Sequence, residues 1–334
     1  MHARSWFHPL LCLLAATGCV PQVRQASSSS IQQLHRHTST RLASEFPNGK
    51  LHLEYPFKLH PGTVLRLPMQ NSHRIPAIPL SINHKKLPWI LDTGANFPVL
   101  LDTKSATSAH LQVIKDIRIK GSGVGGNTEL LLGRFTSLSA GEEDLLGQGI
   151  AGILLQTYHF NFAGIPVHRL PLNLLGLPFL EMFSFLTLDG TNKIVELGYQ
   201  KPFTPPSRAR SFPFRKQNGR LWVTVSIEGH PITAFFDTGY GSDLRLPACE
   251  LAKLAPQTLA SSPTKKRPAM GVGGVVMEET GQLKEARVGD LRITPVEYDT
   301  SEGCTEAMLG WGAFRNQRIT IDFQRNCVWV ESSQ

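Results

Sequence analysis

From about Leu51 onward the chain is written in short apolar runs broken by Gly, Pro and Asn, the punctuation of turns. Leu51-His52-Leu53-Glu54-Tyr55, Val64-Leu65-Arg66-Leu67 and Leu221-Trp222-Val223-Thr224-Val225-Ser226-Ile227 alternate with period two, as half-buried strands do. Helical periodicity is confined to Phe179 to Phe183 and to Ala248 to Leu254. The pattern predicts an all-β protein with a few short helices.

The pattern is also used twice. An apolar run leads into Asp92-Thr93-Gly94 (Leu87-Pro88-Trp89-Ile90-Leu91) and again into Asp237-Thr238-Gly239 (Ile232-Thr233-Ala234-Phe235-Phe236). A Gly-Val-Gly-Gly segment follows each, Gly123 to Gly126 and Gly271 to Gly274. Later comes an apolar pair plus Gly, Leu174-Leu175-Gly176 and Met308-Leu309-Gly310. Gly152-Ile153-Leu154-Leu155 competes for the first of these places. The phase to Asp189, which nearly repeats that from Gly310 to Asp322, favours Gly176. Leu186-Thr187-Leu188-Asp189 then corresponds to Ile319-Thr320-Ile321-Asp322. Three signals in one order, used twice, mean a duplicated domain. The first copy is the longer, with extra residues between Gly141 and Asn173.

Five segments are expected: a signal peptide at 1–18, a flexible tether at 19–50, a first lobe at 51–200, a Pro-rich linker at 201–219 and a second lobe at 220–334. Arg4 and the apolar Phe7 to Ala16 have the form of a secretory signal, too short to span a bilayer. Ala16-Thr17-Gly18-Cys19 resembles the lipobox of bacterial lipoproteins, which implies cleavage before Cys19 and a lipid on it. The protein is then exported and lipid-anchored in a bacterial cell envelope; a plain secretory signal is the alternative. Ser27 to Ser30 and the polar residues around them cannot build a core, hence the expected tether.

The formal charge of +8 is scattered, without a basic helix or a basic-aromatic module. It reads as solvated surface suited to anionic membrane, and no nucleic-acid partner is expected. Cys249, Cys304 and Cys327 remain after the leader, and export permits a disulfide, with Cys304–Cys327 the expected pair. No zinc spacing is present and no cofactor is expected.

An apolar strand drives the Asp after it toward the interior, where ionisation is costly unless polar groups receive it. Thr offers a hydroxyl to lock the loop, and Gly admits close backbone approach. Two such loops meeting across a pseudo-twofold axis would hold one proton between two carboxylates. One could then take a proton from water while the other gives one to a carbonyl oxygen.

On these residues the chain resembles the aspartic peptidases, and their retropepsin-like branch in particular, over roughly 75–334. The resemblance implies two pseudo-symmetric β-barrel lobes in one chain, with an extended peptide or protein substrate between them. It implies Asp92 and Asp237 as the catalytic dyad, with Thr93 and Thr238 interlocking the loops and Gly94 and Gly239 bracketing the site. Gly125, Gly126, Gly273 and Gly274 would lie in flaps that close over substrate. Where pepsins carry Ser after Asp-Thr-Gly, this chain has Ala95 and Tyr240; losing that donor implies a pH optimum milder than pepsin's. Tyr240 is bulky, so an asymmetric cleft is expected.

Gly121-x-Gly123-x-x-Gly126 has dinucleotide-fingerprint spacing, but Asn127 to Phe135 reads as strand and turn rather than an opening helix. The second copy keeps Gly-Val-Gly-Gly without the spacing, so a hairpin tip is the reading. Asp102 is expected to cap a turn, and Asp189, Asp243 and Asp322 to be structural or surface residues. An aspartic endopeptidase leads; a non-catalytic peptide-binding lipoprotein and a hydrolase of cell-wall peptide cross-links are the alternatives.

Overall fold

A computed structural model describes residues 19–36, 55–72, 74–162, 165–254 and 265–331. The expected signal peptide, the tether beyond residue 36 and most of the strand expected at Leu51 to Tyr55 lie outside them. Strands dominate the described residues, with a few short helices, and the protein is all-β, with two large sheets in two lobes.

Each lobe grows from a hairpin that ends in the Asp-Thr-Gly loop. Ile75–Ile82 pairs with Lys85–Asp92, and Arg220–Ile227 with His230–Asp237. Both hairpins close with two residues at positive φ, Asn83-His84 and Glu228-Gly229. Such turns match the natural twist of paired strands. Each Asp-bearing strand then takes a parallel neighbour, Asn173–Gly176 in the first copy and Ala307–Gly310 in the second. The register sets Gly176 opposite Asp92 and Gly310 opposite Asp237. Gly176 is therefore the counterpart of Gly310. Gly152 belongs to Gly149–Leu154, which runs parallel to Val99–Asp102 as Val296–Thr300 runs parallel to Leu244–Arg245.

A six-stranded sheet joins the lobes, and its centre pairs Phe185–Asp189 with Arg318–Asp322, the two segments matched in the sequence. Thr187 stands opposite its own counterpart Thr320, and their buried hydroxyls lie 2.8 Å apart. The pseudo-twofold axis passes between them. Arg210–Pro213, from the stretch expected to be a linker, adds to the edge of this sheet by pairing with Cys327–Glu331. Phe212 from that strand is buried against Phe236 and Phe314, and so backs the strand leading to Asp237.

Two expectations give way. Residues 19–36 are not a free tether: Cys19–Gln25 is a strand, Ser28–His35 a helix capped by the Ser27 hydroxyl, and Leu34 is fully buried. The strand adds to the hairpin Gln156–Phe162/Ile165–Leu170, inserted in the first copy, whose edge offers unpaired backbone groups. Polar composition reports on side chains and is blind to such backbone pairing. The expected Cys304–Cys327 disulfide is also absent. Both cysteines are free, because Cys327 opens a strand of the interlobe sheet while Cys304 sits in a second-lobe turn against the Glu306 carbonyl.

Candidate active site

Leu91 and Phe236, both fully buried, end the two central strands and deliver Asp92 and Asp237 to the interface between lobes. The next residue in each copy locks the loops together. The Thr93 hydroxyl donates to the Phe236 carbonyl (2.9 Å) and accepts from the Thr238 N–H (3.0 Å). The Thr238 hydroxyl donates to the Leu91 carbonyl (2.6 Å) and accepts from the Thr93 N–H (3.1 Å). Both threonines are fully buried, so four polar backbone groups that water cannot reach are satisfied across the axis.

Glycine follows because nothing larger fits. A Cβ on Gly94 would lie 2.5 Å from Asp237 Oδ2, and one on Gly239 would lie 2.8 Å from each carboxylate oxygen of Asp92. Each Asp also receives its own loop's amides: Gly94 and Ala95 donate to Asp92 Oδ1 (both 2.9 Å), and Gly239 donates to Asp237 Oδ1 (2.7 Å).

The two carboxyl groups are hydrogen-bonded to each other, which sets their acidity apart. Burial raises both above the usual carboxylate range. Asp237, 9% exposed, rises well beyond it because it also faces the charge of Asp92. For Asp92 the bonds from Asp237, Gly94 and Ala95 pull back against burial. Two buried carboxyl groups that face each other cannot both ionise readily, so they titrate as a pair, with Asp237 the more strongly raised.

The two Gly-rich segments are hairpin tips, with Gly123 opposite Gly126 and Gly271 opposite Gly274. They meet: the Gly273 N–H donates to the Val124 carbonyl at 3.0 Å. Gly125, Gly126 and Gly274 all have φ in the left-handed range, and a Cβ on Gly125 would lie 2.3 Å from the Gly274 backbone. The strands Lys120–Gly123 and Gly126–Glu129 continue each other around the first tip, so the dinucleotide-like spacing marks a hairpin.

The walls beside the two loops differ. After Gly94 come Ala95 and Phe97, packed with Leu100, Leu130 and Leu154. After Gly239 comes Tyr240, whose hydroxyl donates to the fully buried Asp299. Arg267 also binds Asp299 (2.6 Å) and reaches Ser242 and Glu297. Buried Glu278 lies 3.5 Å from Arg245, and burial together with the charge of Asp299 pushes its pKa up to about 7. This polar group escaped sequence reasoning because its members come from four separate strands and the loop after Gly239; Tyr240 alone gave a signal, through its place after Asp-Thr-Gly.

Asp102 caps the helix Thr103–Ser108 by accepting from the Ser105 N–H. Asp189 and Asp322 accept turn amides at equivalent places in the two copies, and Asp243 pairs with Arg315. Among the described residues, no group of three or more His, Cys, Asp or Glu side chains is placed to hold a metal ion.

Two lobes sharing an interlobe sheet and a carboxylate pair define the acid-protease fold. The aspartyl protease family model matches residues 78–179 and 223–312, more than half of the chain, and the protein belongs to that retropepsin-like family. No curated protein matches the chain.

Proposed function

We propose that the protein is an aspartic endopeptidase in which Asp92 and Asp237 activate a water between them. The observation that carries the reading is the buried pair of carboxyl groups, Asp92 and Asp237, brought face to face by the interlocked Thr93 and Thr238 loops. Asp92, ionised, takes a proton from the water as its oxygen attacks the peptide carbonyl carbon, while Asp237 gives its proton to the carbonyl oxygen. The tetrahedral intermediate collapses as a proton reaches the amide nitrogen and the C–N bond breaks, leaving one free carboxyl and one free amine. No covalent enzyme intermediate forms. The substrate is an extended peptide, its backbone held by the flap tips at Gly125, Gly126, Gly273 and Gly274.

The purified chain, incubated with a peptide library, will cleave internal bonds, and a statine-type inhibitor, whose hydroxyl stands in for the attacking water, will stop it. A chain that binds peptides without cutting them would instead be the peptide-binding alternative.

We further place the protein in a bacterial cell envelope, exported and lipid-anchored through Cys19. The lipobox-like Ala16-Thr17-Gly18-Cys19 supports this. Because Cys19 opens the strand beside the inserted hairpin, such an anchor would hold the flap side of the enzyme close to the bilayer. Fatty-acid labelling that is lost in Cys19→Ala tests it; labelling that persists would refute it.

A further inference from the structure

The strand Cys19–Gln25 and the hairpin Gln156–Phe162/Ile165–Leu170 form a three-stranded sheet of their own, with nothing equivalent among the described residues of the second copy. The leader strand runs against both strands of the second flap, Lys265–Gly271 and Gly274–Leu283. Val23 joins the apolar cluster that holds Met270 and Val272 of that flap and Phe97 beside the first dyad loop. In the middle strand Tyr158, 1% exposed, points its hydroxyl at the Val272 carbonyl and donates to it at 2.9 Å. The Tyr158 hydroxyl also stands 3.1 Å from Gln156 Oε1, a second acceptor in the same strand.

This bond crosses from the first copy to the tip of the second copy's flap. A side chain that is buried, stiff and held in a paired strand is well suited to fix a backbone carbonyl in place. At the tip of the first flap, the Val124 carbonyl accepts from a backbone amide, Gly273 N–H, at 3.0 Å. The duplicated domain is symmetric at its dyad and asymmetric at its flaps.

We infer that Tyr158 is a positioning residue that holds the second flap over the cleft from the opposite lobe, with the leader strand as its support. The first flap then does the opening, and the second is a standing wall against which substrate is gripped. The inference rests on the endopeptidase reading for its purpose, and on the hydrogen bond and packing for its existence.

Amide hydrogen exchange of the full chain, followed by mass spectrometry, tests it in Tyr158→Phe and in Val23→Ala. Loss of one hydrogen bond changes an equilibrium by a net factor of about 2 to 10. Exchange across Pro268 to Met277 rises by that factor in Tyr158→Phe, and also rises in Val23→Ala, while the dyad loops keep their protection. In peptide cleavage KM rises and kcat stays. Unchanged exchange in the second flap of Tyr158→Phe overturns the inference. So does an equal rise throughout the chain, which would make Tyr158 a general stabiliser. If the native chain cleaves nothing and the second flap still loosens in Tyr158→Phe, the latch stands and the endopeptidase reading fails.

Discussion

Thr93 and Thr238 exchange the same pair of hydrogen bonds across the lobe interface, each hydroxyl donating to the carbonyl that precedes the other copy's Asp. A hydroxyl that accepts from one buried amide and donates to one buried carbonyl leaves two groups stranded when removed. Thr93→Val and Thr238→Val keep the shape and lose the oxygen. Each will cost about 2–6 kcal/mol in urea unfolding, from about 1–3 per orphaned group. A loss below about 0.5 kcal/mol would mean that the lobes do not depend on the exchange.

Gly94 and Gly239 meet the opposite carboxylate too closely for any side chain. In Gly94→Ala and Gly239→Ala the new methyl will push the dyad apart. A misplacement of about 1 Å costs about 10²-fold in rate, so kcat/KM on a cleaved library peptide will fall at least that far in both variants. Activity near native in either would mean that the carboxylates need not stay in contact.

Glu278 makes stability depend on pH. Its proton, lost near 4.5 in an unfolded chain, is held to about 7 in the folded one by burial and by the charge of Asp299. Between those values the native state binds the extra proton, so stability falls as pH rises through the window and stays low above it. Glu278→Gln removes the charge without removing the shape. Thermal unfolding will show the variant equal to native at pH 4 and more stable by on the order of 3 kcal/mol at pH 8. An equal or lower stability at pH 8 would contradict the assignment.

The strand repeat, both Asp loops and both flap tips were legible because local signals specify them: period-two runs, an Asp-Thr-Gly turn, a glycine pair at a hairpin tip. Even the choice of Gly176 over Gly152 followed from phase along the chain, and the strand register agrees. What escaped depends on contacts between distant segments. The leader strand has a disordered composition and an ordered place, supplied by the free edge of a hairpin more than a hundred residues later. Tyr158 gave no signal, since its partner is a carbonyl in the other copy. The Cys304–Cys327 expectation failed because flanking the last strands in sequence does not place two thiols in one sheet.

The central claim is that Asp92 and Asp237 hold one proton jointly and use it to hydrolyse peptides. The pH dependence of kcat/KM for the native chain, Asp92→Asn and Asp237→Asn tests it most directly, with circular dichroism confirming that all three are folded. The native profile will be bell-shaped, its two apparent pKa values belonging to the pair, with an optimum milder than pepsin's. Each Asn variant will fall by about 10³-fold or more at every pH. Cleavage at the native rate by either variant would contradict the account.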